Sequence, residues 1–135
     1  MINENYDDKK ILKDIFIKSL ELADPAKKLE NIKFDPPLGK LFFAAVGKGA
    51  GRLAKAFFRT YKGKADGIVV IPENEKCDEL DCEVIKATHP IPSQKGLDAS
   101  YKLLKAISKL GKDDLLIFCI SGGASALLPL PPEGY

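Results

Sequence analysis

The chain has 135 residues, 45% of them hydrophobic and 30% charged, which suits one domain burying about 65% of its unfolded surface and excludes a disordered tail or a disulfide-built miniature. No apolar run reaches the roughly 18–20 residues of a membrane-crossing helix, and the polar opening MINENYDDKK is neither a signal nor a transit peptide. Twenty-one basic and nineteen acidic residues give +2, interspersed along the chain and with arginine only at Arg52 and Arg59, so no nucleic-acid surface is expected.

Asp8 to Ala23 carries Ile11, Leu12, Ile15, Phe16, Leu20 and Ala23 at three- and four-residue steps, which predicts an amphipathic helix. Asp24-Pro25 ends it and caps a second, short helix to about Ile32. Leu41 to Val46 (LFFAAV) is continuously apolar, the pattern of a strand covered on both faces. A glycine turn follows, then a helix from Arg52 to Tyr61. Gly67 to Ile71 and the weaker Glu83 to Ala87 are the next strands. Only about ten residues without helical pattern join them, fewer than a parallel crossover usually takes, so the third strand is expected to run antiparallel or to sit at an edge. A helix from Gly96 to Leu110, stopped by Gly111, leads to the strongest strand, Leu115 to Ile120 (LLIFCI). Barely one helical turn then fits before Pro129, leaving Leu127, Leu128 and Leu130 with little to cover them. The expectation is an α/β fold, Rossmann-like, with a mostly parallel sheet of about four strands flanked by helices, in an incomplete domain. Cys77, Cys82 and Cys119 are odd in number and lack a C-x-x-C; they read as free thiols of a reducing cytoplasm, with Cys119 buried, and no metal ligand is assigned.

Three segments carry chemistry. Gly47-Lys48-Gly49-Ala50-Gly51 joins a strand to a helix, where glycines allow close backbone approach and a helix start offers free amides to an anion. It lacks the spacing of a Walker A loop, and Arg52 stands where the dinucleotide fingerprint needs its third glycine. The plain alternative is a tight turn with an exposed lysine. Ser121-Gly122-Gly123-Ala124-Ser125, at the end of the best strand, offers consecutive amides and two hydroxyls to an anion, or simply caps a helix. Both turns follow carboxyl ends of strands, where open α/β sheets bind ligands. In Thr88-His89-Pro90-Ile91-Pro92-Ser93 the prolines hold the chain extended, and His89, the single histidine, either contacts the site or braces the loop. A serine-hydrolase elbow, G-x-S-x-G, is absent.

Together VGKGAGRLAKAF (Val46–Phe57), ATHPIPS (Ala87–Ser93) and ISGGASALLPLPPEG (Ile120–Gly134) resemble, in order and spacing, the N-terminal part of the glycerate 2-kinase family. These are the MOFRL-containing glycerate kinases, often also labelled hydroxypyruvate reductase. The resemblance implies phosphorylation of D-glycerate at its 2-hydroxyl by ATP with Mg²⁺, in a cleft between an N-terminal Rossmann-like domain and a second domain. It makes residues 1–135 a truncated N-terminal domain without the C-terminal MOFRL domain. Lys48 matches the family's catalytic lysine, while Gly47, Gly49, Ser121, Gly122, Gly123 and Ser125 would bind phosphate or substrate. Gly49 stands where the family usually has alanine, and Ser93-Gln94 replaces a more acidic pair. The second domain's arginine has no counterpart here. The implied partner is a small molecule, with neither nucleic acid nor membrane, and a homo-oligomer stays open. Two alternatives stand beside this one: an NAD(P)H-dependent hydroxypyruvate reductase, which lacks the third glycine and a suitably placed acidic residue for the ribose (the nearest, Asp66, lies before the second strand rather than at its end), and an inactive anion-binding fragment.

Overall fold

The computed structural model describes residues 7–132 and 134. Among them it contains α1 (Asp8–Ala23), α2 (Pro25–Glu30), β1 (Leu41–Val46), α3 (Ala50–Thr60), β2 (Ala65–Pro72), β3 (Glu83–Ala87), α4 (Gln94–Ile107), β4 (Leu115–Ile120) and α5 (Ala124–Leu127). The strands form one sheet in the order β3-β2-β1-β4. Every pairing is parallel, with Val46 opposite both Val70 and Ile120. This is the strand order of the first half of a doubly wound sheet, in keeping with the α/β expectation.

β1 lies at the centre, and all six of its residues are buried. Its side chains alternate between two cores, as strand geometry requires. Phe42, Ala44 and Val46 join Ile68, Val70, Ala99, Leu103 and Leu127 beneath α4 and α5. Leu41, Phe43 and Ala45 join Val69, Ile71, Ala54 and Phe57 beneath α3. In the second core Phe57 stacks on Phe43 with centroids 4.4 Å apart and on Tyr61 at 5.2 Å.

β3 is an edge strand, and its parallel direction removes the antiparallel alternative. Residues 73–82 return the chain without a helix. Ten extended residues reach about 33 Å, twice the ~17 Å length of a five-residue strand. In place of a crossover helix, Cys77 and Leu80 from this segment pack on the α3 core.

α3 begins two residues earlier than its hydrophobic spacing suggests, because Gly49 serves as its N-cap. α4 likewise starts at Gln94 and ends at a cap on Ser108, short of Gly111. The Gly111 amide instead donates to Asp114 Oδ2 at 2.8 Å. Leu127 is fully buried because α5 folds back under the sheet against α4, where Ser100 Oγ donates to the Pro129 carbonyl at 2.7 Å. Cys119 is half-buried, since β4 is the other edge: Phe118 is 41% and Ile120 67% exposed. α1 forms where the periodicity places it, capped by Asp7, yet buries none of its residues. No helix among the described residues is long and apolar enough to cross a membrane.

Two predictions follow the packing. Phe57→Ala opens a cavity beneath α3 and lowers stability by about 3–5 kcal/mol in urea unfolding. Asp114 accepts amide hydrogens from Gly111 and Lys40, and these bonds hold its carboxyl below the usual aspartate value. That stabilisation is complete above the unfolded pKa, near 3.9, and is lost as pH falls through the lower folded value. Asp114→Asn therefore flattens this part of the acid-unfolding curve.

Candidate functional site

Because β1 and β4 are neighbours, the turns that leave their carboxyl ends meet. The chain moves from β1 outward through β2 and β3, then returns to β4 on the other side of β1. Such a reversal is where open α/β sheets form a ligand crevice. Here the two turns are tied together. The Lys48 amide donates to the Gly122 carbonyl at 2.9 Å, and the Ser121 amide to Val46 O at 2.9 Å. Ser121 Oγ donates to Val46 O at 3.1 Å and accepts the Gly49 amide at 3.0 Å. The Ser121 hydroxyl and the Gly49 amide are thus engaged with each other.

Gly47 is required twice over. Its φ is +119°, in the left-handed range, and a Cβ there would run into Ser121 Oγ and stand 2.6 Å from the Ser121 carbonyl oxygen. The tight turn leaves the Lys48 side chain exposed, and it has no carboxylate partner among the described residues.

Gly123 has φ +91° and caps α5. A Cβ on it would stand 3.6 Å from Lys48 Cγ, and 2.8 and 2.9 Å from His89 Cδ2 and Nε2. The loop after β3 therefore reaches across the sheet's carboxyl edge, and all three sequence segments converge at Gly123. The amides of Gly122, Gly123, Ala124 and Ser125 have no acceptor among the described residues. Gly122 faces open space, and Ser125 is exposed. Four free amides in succession can hold an anionic oxygen, and the stem of Lys48 lies beside Gly123 among them.

The α3 start is less open. Gly51 is buried, and a Cβ on it would stand 3.1 Å from Cys77 Sγ and 3.6 Å from Glu75 Oε1. Burial raises the pKa of Glu75 above the usual glutamate value. A carboxylate at this end of the first turn disfavours a second anion there. The amides after β4 are the better cradle.

Burial pushes the Cys82 thiol up to about 11, with smaller contributions from Cys77 and Asp81. It also raises Cys77 and Cys119. None of the three thiols is an activated nucleophile at neutral pH. Among the described residues no three His, Cys, Asp or Glu side chains stand close enough to hold a metal ion. A cleft of about 620 Å³ is lined by Leu29, Phe34, Phe57 and Tyr61 at α2 and α3, and includes neither Lys48 nor His89.

Residues 11–135 match the profile of the family described as "Domain of unknown function (DUF4147)". The chain belongs to this family. Among its relatives, a D-glycerate 2-kinase of Thermotoga maritima is 31% identical over 128 residues, covering 93% of this chain and 31% of the relative. A putative hydroxypyruvate reductase of Agrobacterium vitis is 31% identical over 91% of this chain and 28% of its own length. Among solved structures, a glycerate kinase of Thermotoga maritima superposes with a TM-score of 0.82 at 31% identity, over 94% of this chain and 31% of that one. A Pyrococcus horikoshii protein gives the same TM-score at 28% identity, over 100% and 33%. This DUF4147 chain spans about a third of the length of the relatives it matches.

Sequence reasoning missed two features of this edge. Glu73, the residue after β2, stands at the carboxyl end of that strand, whereas Asp66 lies near its start. The hydroxyl of Ser121 serves as a tie between turns, which no residue spacing announces. Ser121→Ala strands the Gly49 amide and costs about 1–3 kcal/mol in thermal or urea unfolding. Ser125→Ala changes stability by no more than about 0.5 kcal/mol.

Proposed function

We propose that this chain is the N-terminal, phosphate-holding part of a glycerate 2-kinase. The observation that carries the reading is the meeting of Lys48 with the free amides of Gly122 to Ser125 at the reversal of strand order. The DUF4147 membership and the glycerate kinases among the relatives support it.

The reaction moves the terminal phosphoryl group of ATP to the 2-hydroxyl of D-glycerate. The bond from the bridging oxygen to the γ-phosphorus breaks, the new O–P bond forms as the 2-hydroxyl gives up its proton to solvent, and ADP leaves. Such transfer depends chiefly on positioning and on stabilising spread negative charge. The Gly122–Ser125 amides hold an anionic oxygen without moving. Lys48 brings a full positive charge to the same place, on a turn fixed by Gly47 and Ser121. Preorganised donors of this kind act in the transition state at no reorganisation cost. Residues 1–135 act as one wall of a cleft whose other wall, including further catalytic groups, comes from a second domain.

One observation favours a second reading. Glu73 occupies the end of β2, where dinucleotide-binding sheets keep the acidic residue that meets the ribose. Against it, Arg52 replaces the third glycine of that fingerprint, and Glu73 already pairs with Lys95 at 3.5 Å.

The test is a chimera in which this chain replaces the matching third of the Thermotoga maritima enzyme. The kinase reading predicts ATP-dependent formation of phosphoglycerate and no NADH oxidation with hydroxypyruvate. Lys48→Ala in that chimera lowers kcat by about 100-fold or more, roughly 2.7 kcal/mol. Turnover within twofold of the parent removes Lys48 from the mechanism, and NADH oxidation without ATP turnover favours the reductase.

A further inference from the structure

His89 is the single histidine of the chain, and three observations single it out. First, the Nε2–Cδ2 edge of its ring lies against Gly123, so close that a Cβ there would collide with it, and Lys48 Cγ borders the same point. Second, neither ring nitrogen has a hydrogen-bond partner among the described residues, and neither is sealed from solvent. A bracing histidine would spend a nitrogen on a backbone or carboxylate partner. Third, the loop that carries it is fixed by other groups. Thr88 Oγ1 donates to the Ile91 carbonyl at 2.7 Å, Ala87 is fully buried, and the Glu73 amide donates to the Ala87 carbonyl at 2.9 Å. The ring is held in place without using its nitrogens.

We infer that His89 is a ligand-contacting residue of the site, its Nε2 directed at the same anionic oxygen that Lys48 and the Gly122–Ser125 amides approach. This rests on the proposed anion site and adds to it a third, side-chain wall on the β3 side. The ligand chemistry is a phosphoryl or carboxylate oxygen small enough to lie between an imidazole and an ammonium. Gly123 is then glycine for two reasons: its φ, and the room its missing side chain leaves for His89.

The test uses the imidazole as its own probe, since it gives the only histidine signals in the spectrum. The intact chain, labelled with ¹⁵N and ¹³C, is titrated with inorganic phosphate in one arm and D-glycerate in the other. His89 ring resonances and the Gly122–Ser125 amides are followed together. The expected result is that ring and amides move with one common Kd in at least one arm. The arm that moves them identifies the source of the oxygen. His89→Ala weakens that Kd by about fivefold or more. His89→Gln, whose Nε2 reaches where the imidazole Nε2 stands, recovers it to within about twofold. Amides that respond while the ring stays silent overturn the inference and leave the anion site standing, as does a His89→Gln variant no better than His89→Ala. If neither ring nor amides respond to either anion, the site itself falls, and this inference with it.

Discussion

The hydroxyl of Ser121 holds this edge of the molecule together. It donates to the last carbonyl of β1 and accepts the amide of Gly49, so one small side chain closes two turns 72 residues apart onto each other. A neutral pair of hydrogen bonds contributes only about 1–3 kcal/mol in all, but its consequence is geometric. With the turns tied, the Lys48 side chain leaves the backbone beside Gly123, and the amides of Gly122 to Ser125 are left without acceptors among the described residues. Without the tie, an ammonium and a row of amides would be two unrelated surface features.

The tie can form only because of the sheet. β1 is continuously apolar, which places it between two cores, and a strand so placed takes neighbours on both sides. β4 takes the side that β2 leaves free, and the parallel register sets Val46 level with Ile120. The two turns then start at the same height on the same edge. The anion reading is thus a consequence of packing at the level of β1.

Much of this was legible in the chain. LFFAAV and LLIFCI announce strands at their observed limits, and the 3.6-residue pattern of Asp8 to Ala23 places α1 to the residue. The segments around Lys48, His89 and Ser121 were legible as candidates. That the turns at Lys48 and Ser121 face one crevice follows from their both lying at carboxyl ends of strands; that His89 joins them does not, because strand order depends on long-range pairing that no local spacing encodes. The direction of β3 was misleading for a related reason: a connection that packs Cys77 and Leu80 in place of a helix has no periodicity to read. Leu127 looked uncovered because its cover, the core beneath α4, comes from distant residues. The ends of α3 and α4 shifted because caps at Gly49 and Ser108 use backbone geometry that apolar spacing ignores. The apolar side of α1 and the outer side of β4 stay uncovered, with Phe16 62% and Ile120 67% exposed, in a chain a third as long as the relatives it matches.

The most direct measurement is a crystal of the chain soaked with tungstate, a heavy tetrahedral oxyanion whose anomalous signal marks its position without ambiguity. The account predicts a peak whose oxygens lie about 3 Å from the amides of the Gly122–Ser125 turn and from Lys48 Nζ. A peak at the start of α3 beside Gly51, or none on the carboxyl edge of the sheet while other surfaces are occupied, would contradict it.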